Sequence, residues 1–288
     1  MDMGFMPQIN KILEVIPRKR QNLLFSATFP PKVERLAGDF LEAPLRVEIT
    51  AQATAAEQVE QMIYEVPNFK TKINLLEYLL QNQELVSRAI VFVRSKQTAE
   101  NIYKYLKRKV LLEEQLRVIH ANKGQNTRIN SMDSFKEGNV RILVATDVAA
   151  RGIDVSEISH VINFDVPLIY EDYVHRIGRT GRANKQGTAM TFVTIADNYH
   201  IAKIEKIIRQ PVKRIPIPNE VLQEETPFEE KQEMLREIDN QRRREDPDFK
   251  GAFHEKKNKP VSPKITKKTT TFSTHKPIKN NRNKKYKK

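Results

Sequence analysis

The chain has 288 residues, 39% hydrophobic and 30% charged, enough for one large soluble domain or two of ordinary size. With no cysteine, no i,i+4 pair among its six histidines and no apolar run near the roughly 18 residues of a membrane span, it excludes disulfide frameworks, Cys-ligated metals, thiol nucleophiles and a membrane partner. Its N-terminus does not read as a signal peptide, so a cytoplasmic protein is expected. The net charge of +14 is concentrated at one end, because residues 251–288 hold 13 Lys and Arg against the single acid Glu255.

In chain order, Ile9, Ile12, Leu13 and Ile16 recur at helical spacing over 6–16, and Pro17 stops that helix. Residues 21–25 (QNLLF) read as a short buried strand, 30–41 as a helix and 45–49 as another strand. This stretch of about 49 residues cannot cover both faces of a parallel sheet, so 1–49 reads as part of a domain. Residues 50–58 lack large apolar side chains and read as a linker.

From 59 the pattern becomes regular. Short apolar strands are predicted at 59–66, 89–93, 116–120, 140–145, 161–164 and 188–194, alternating with helices near 69–81, 96–109, 125–137, 170–177 and 197–208. That alternation predicts an α/β fold, a parallel sheet flanked by helices over about 59–215. Residues 216–250 form a mixed-charge extension with a helix over 228–243, and 251–288 a basic tail expected to be disordered.

Ligands of open parallel sheets bind beyond the carboxyl ends of the strands, which directs attention to three segments. Ser26–Ala27–Thr28 follows the first strand; read alone, it is equally a helix N-cap ahead of Pro30–Pro31. Thr146–Asp154 follows 140–145; read alone, it is a strand-to-loop turn with Arg151 and Asp154 paired. His175–Arg182 spaces Arg176, Arg179 and Arg182 three apart with Gly178 and Gly181 between them. Helical geometry would put Arg176 and Arg179 on one face. Clustered guanidiniums with few local acids call for an anion, and phosphate suits their planar fork. Gln125 opens a helix and is equally a capping residue, with Arg128 a surface charge, while Ile90–Val93 reads as sheet core.

Taken in order, Ser26–Ala27–Thr28, Ile90–Val93, Gln125-x-x-Arg128, Thr146–Asp154 and His175–Arg182 resemble motifs III, IV, IVa, V and VI of the DEAD-box RNA helicases. The resemblance covers about residues 1–212, and the basic tail is similar to those of bacterial RhlE-type members. It implies two RecA-like domains closing around ATP and RNA, with 59–215 as the C-terminal one and 1–49 as a remnant of the first. It also implies that Arg179 and Arg182 reach the γ-phosphate and that His175 and Arg176 link the cleft to the first domain. Asp154 and Gly152 would lie at the ATP ribose, Thr146, Arg128 and Gln125 on RNA phosphates, and Ser26 and Thr28 would couple hydrolysis to strand separation.

The departures from the family pattern matter equally. No Asp-Glu and no Gly-Lys dipeptide occurs in the sequence, so neither a DEAD box nor a Walker A loop is present. ATP with Mg²⁺ would then be held mainly by an N-terminal part outside this chain. The chain is expected to be the C-terminal part of a helicase, inactive as an ATPase alone, with single-stranded or duplex RNA and ribosomal or RNA-decay assemblies as partners. The alternatives are a non-catalytic nucleic-acid-binding module built from the half-groove and basic tail, and a DNA-unwinding relative.

Overall fold

A computed structural model describes residues 6–17, 19–25, 31–38, 40–47, 59–150, 158–181 and 186–252. In the N-terminal stretch, α1 (Met6–Val15) and α2 (Pro31–Gly38) are the two helices expected there. The strand expected at 21–25 does not form, nor does the described part, 45–47, of the one expected at 45–49. Residues 21–25 and 44–47 carry no strand ladder, because no described strand lies beside them to share backbone hydrogen bonds. Most of their apolar side chains stay in water, with Phe25 88% and Leu45 90% exposed, while Leu24 is half-buried.

The remainder forms one all-parallel sheet of seven strands, β1 (Val59–Glu65), β2 (Ala89–Val93), β3 (Leu116–Ile119), β4 (Ile142–Thr146), β5 (His160–Asn163), β6 (Gly187–Val193) and β7 (Lys213–Ile215). Their spatial order is β3-β4-β2-β5-β6-β1-β7. Parallel neighbours require crossovers, and helices α3 (Phe69–Gln81), α4 (Lys96–Lys109), α5 (Gln125–Lys136), α7 (Tyr170–Ile177) and α8 (Asn198–Ile208) lie between successive strands. A single turn, α6 (Asp147–Ala150), follows β4 directly. Strand β7 escaped the sequence reading, since three residues on the outer side of β1 bury too little to leave an apolar pattern.

The strands read as near-continuous apolar runs because both sheet faces are covered. Ile90 and Phe92 of β2 point to one face, with Leu143, Val161 and Ala189, under Phe135, Tyr173, Ile177, Ile201 and Ile204. Ala89, Val91 and Val93 point to the other, with Val144, Ile162 and Phe192, under Leu75, Leu76, Leu79, Ile102 and Leu106. Asn68 and Ser95 cap α3 and α4 by accepting from Thr71 N and Thr98 N, at 2.8 and 2.9 Å.

The charged extension is docked onto this core. Its helix α9 (Phe228–Glu245) is poor in apolar residues, and polar ties hold the segment instead. Asn68 Nδ2 donates to Glu224 O at 2.6 Å, Glu230 Oε1 accepts from Phe69 N at 2.7 Å, and Gln241 Nε2 donates to Ala196 O at 2.9 Å. Val221, Asp239 and Gln241 are buried.

Candidate functional site

Of the segments singled out by sequence, the described residues 146–150 and 175–181 lie along the carboxyl edge of the sheet, where neighbouring strands end together. Thr146 closes β4, paired in register with Val93 of β2, and is half-buried there. β2 in turn pairs with β5, Phe92 opposite Asn163. The chain leaving β5 runs through Phe164 and Asp165 into α7, which carries His175 and Arg176 and is capped by Gly178.

Arg176 organises this edge. Its side chain is 1% exposed. Nε and Nη2 grip the two Asp147 carboxylate oxygens at 2.5 and 2.8 Å. Nη1 donates to Asn163 Oδ1 at 3.2 Å and to the Asp165 carbonyl at 2.6 Å. The guanidinium carbon stands 5.0 Å over the Phe92 ring. A bidentate, stacked guanidinium with four hydrogen bonds is the arrangement that tolerates burial. Asn163 is itself held by Thr191 Oγ1 at 3.1 Å in the sheet centre, so one polar column runs from β6 through β5 to α6.

This arrangement corrects the expectation that Arg176 and Arg179 share a helical face. The helix ends at Ile177, Arg176 turns inward, and Arg179 lies half-buried in the following turn, its Nε donating to the His175 carbonyl at 3.1 Å. The guanidinium of Arg176 is committed within the domain and Arg179 stands nearer the surface. His175 is 40% exposed, with Nδ1 3.5 Å from Asp172 Oδ1.

The turn carrying Arg179 is pinned at its far side too. Thr180 Oγ1 donates to the Ile158 and Ser159 carbonyls. Gly181 takes φ +68°, a conformation glycine adopts at no steric cost. A Cβ on Gly187 would stand 2.2 Å from Thr180 Oγ1 and 2.4 Å from Gly181 N, so the start of β6 must be glycine for the turn to pack against it.

Gln125 and Arg128 occupy the start of α5, beyond β3, the strand next to β4. Gln125 Oε1 accepts from Arg128 Nη1 at 3.3 Å. Nearby, buried His120 bonds Glu100 at 2.8 Å, and Lys123 reaches the same carboxylate at 2.6 Å. These charges hold Glu100 below the ordinary carboxylate range, the Lys123 hydrogen bond contributing most. Ser26, Thr28, Gly152, Asp154 and Arg182 lie outside the described residues.

Sequence reasoning missed Asp147, Asn163, Asp165 and Lys72. The last lies in the first turn of α3 with its Nζ 2.9 Å from the Phe164 carbonyl. A signal was available for Asn163 and Asp165, which interrupt the apolar run VINFDV; nothing local marks Asp147 in ATDVAA or Lys72 in FKTKINLL.

A doubly covered parallel sheet with an arginine-glycine turn at its carboxyl edge defines a RecA-like helicase C-terminal domain. The family model described as helicase conserved C-terminal domain matches residues 71–184. The chain is 35% identical to the Escherichia coli DEAD-box protein SrmB, solved bound to regulator of ribonuclease activity A, covering 59% of this chain and 97% of that one with a TM-score of 0.52. Saccharomyces cerevisiae Dbp5, solved with RNA and ADP BeF3, is 28% identical, with coverages of 76% and 57% and a TM-score of 0.68. The DEAD-box ATP-dependent RNA helicase CshA of Geobacillus kaustophilus is 41% identical over 218 residues, 76% of this chain and 46% of CshA. The chain belongs to the DEAD-box family of ATP-dependent RNA helicases, and spans less than half the length of the curated relatives it matches.

Proposed function

We propose that this chain supplies the C-terminal lobe of an ATP-dependent RNA helicase, completing a nucleotide site whose other half lies on a P-loop lobe. The observation that carries this reading is the division of labour in the arginine segment. Arg176 is spent on internal bonds to Asp147, Asn163 and Asp165, which fix the turn holding Arg179 nearer the surface. A guanidinium held this way suits a phosphate, and no metal is needed on this side. On this reading Mg²⁺ sits with the P-loop lobe.

ATP, when bound, supplies the phosphoanhydride whose cleavage releases the closed state. Arg179, with Arg182, meets the γ-phosphate across the cleft only when the lobes close. Its differential affinity therefore favours closure and stabilises charge at the transferring group. On this reading Asp154 and Gly152 serve the ribose. Thr146, Gln125 and Arg128 hold RNA phosphates from the β3–β4 side of the same edge, which positions a strand without reading its bases. Ser26 and Thr28 couple the two events. The chain alone, without a P-loop, turns over no ATP. The RhlE-type subtype rests on the basic tail alone. The RNA-bound Dbp5 neighbour supports RNA as the ligand, and SrmB with its regulator supports a partner among ribonuclease-linked assemblies.

The test joins this chain to the P-loop lobe of a DEAD-box relative and measures RNA-stimulated ATP turnover. Arg179→Ala should lower turnover by about 10³-fold or more while RNA retention at low salt stays near wild type. Undiminished turnover in that variant would sink the assignment. A non-catalytic RNA-binding role is favoured instead if the joined protein binds RNA but hydrolyses nothing.

A further inference from the structure

Four charged side chains meet where β2, β5 and β6 end, away from Arg179. Lys72 is 4% exposed. Its Nζ donates to the Phe164 carbonyl at 2.9 Å and stands 3.6 Å from Asp165 Oδ1 and 3.7 Å from Asp197 Oδ2. Arg94 closes the set, its main-chain N donating to Asp165 Oδ2 at 3.0 Å and its Nη2 lying 3.2 Å from Asp197 Oδ1. Two cations and two carboxylates balance. Burial alone would raise the Asp197 carboxyl, but the charges of Lys72 and Arg94, with hydrogen bonds from Thr194, hold it below its ordinary value. The group floors a cleft of about 320 Å³ that α9 walls on one side with Met234 and Glu237.

Stability does not explain this lysine. It sits in a helix whose neighbours Ile73, Leu75 and Leu76 are buried, and replacing a buried ionic set by apolar side chains is often neutral or stabilising. What the ammonium does hold is the turn after β5. It binds the Phe164 carbonyl and the Asp165 carboxylate, while the Asp165 carbonyl receives Arg176 Nη1 at 2.6 Å. One residue, Asp165, thus faces Lys72 with its side chain and Arg176 with its backbone.

We infer that Lys72 is a positioning residue for the arginine segment, acting through Asp165 to set Arg176 and hence the turn that presents Arg179. Its consequence for catalysis rests on the reading of Arg179 given above; the placement of Arg176 does not.

The test uses the full 288-residue chain labelled with ¹⁵N-arginine. The Arg176 Nε–H, bonded to Asp147, should give a slowly exchanging NMR signal. In Lys72→Met that signal should shift and its exchange accelerate by about tenfold or more, with Lys72→Arg recovering part of the protection. Leu79→Ala removes packing from the same helix without touching the ammonium; it should lower the melting temperature and leave the Arg176 signal in place. An unchanged signal in Lys72→Met, or an equal change in Leu79→Ala, overturns the inference. If Lys72→Met does not fold, Asp197→Asn serves, with a smaller shift of the same sign expected and no shift counting against it. In the protein joined to a P-loop lobe, Lys72→Met should lower kcat about tenfold with little change in KM for ATP. Should Arg179→Ala prove silent there while the NMR change holds, the nucleotide reading fails and the positioning role stands.

Discussion

Arg176 and Arg179 are three residues apart and obey different physics. Arg176 is buried against a half-buried Asp147, so Asp147→Asn leaves the guanidinium without its carboxylate where water scarcely reaches. Urea unfolding of that variant should show a loss of about 3 kcal/mol, whereas Arg179→Ala, half-buried and bonded to the His175 carbonyl, should cost about 1 kcal/mol. The residue pattern alone offered three clustered arginines for an anion; only the family resemblance set Arg176 apart from Arg179 and Arg182. Which guanidinium turns inward depends on Asp147, 29 positions away, and on Asn163 in the neighbouring strand. Gly187 makes a second case. Nothing local marks it as indispensable, yet a methyl there meets the backbone of Gly181 at 2.4 Å. Gly187→Ala should displace the arginine turn and cost about 1–3 kcal/mol, read from the same unfolding curves and from the Arg176 signal.

At the scale of elements, the covered sheet was legible because its strands are apolar on both faces and its helices are amphipathic. The predicted helices at 69–81, 96–109 and 170–177 match α3, α4 and α7 in full. The extension was legible as a helix and illegible as a docked one, because docking runs through Gln241, Glu230 and Asn68 and through single apolar residues such as Val221. His200 belongs to that contact. Gln241 Nε2 lies 3.4 Å from its Nε2 and Tyr170 Oη 3.2 Å from its Nδ1, which fits a neutral ring protonated on Nδ1. Burial pushes His200 below its ordinary value of 6.5, as it does His160. The unfolded chain therefore takes up protons first as pH falls. Both groups contribute stability that is complete above about pH 6.5 and lost towards their lower folded values. The urea midpoint should fall between about pH 7 and 5, and His200→Asn should flatten that slope.

Across the whole chain, charge is divided sharply. Residues 1–250 are nearly balanced, and the last 38 carry a net +12. A polycation of that density binds polyanions by releasing their counterions. Truncation after Ala252 should weaken binding to RNA and DNA alike, and the affinity of the intact chain should fall steeply with salt in a filter-binding titration. Loss of RNA binding alone on truncation would count against a purely electrostatic tether.

The bare side chains of Ile12, Val15, Leu23, Phe25, Leu45 and Val47 have a practical bearing on purification. Such residues collect fluorescent hydrophobic dyes and draw copies of a protein together. Preparations should therefore cloud on concentration and clear in mild detergent, and a version starting at Val59 should stay monodisperse where the longer one does not.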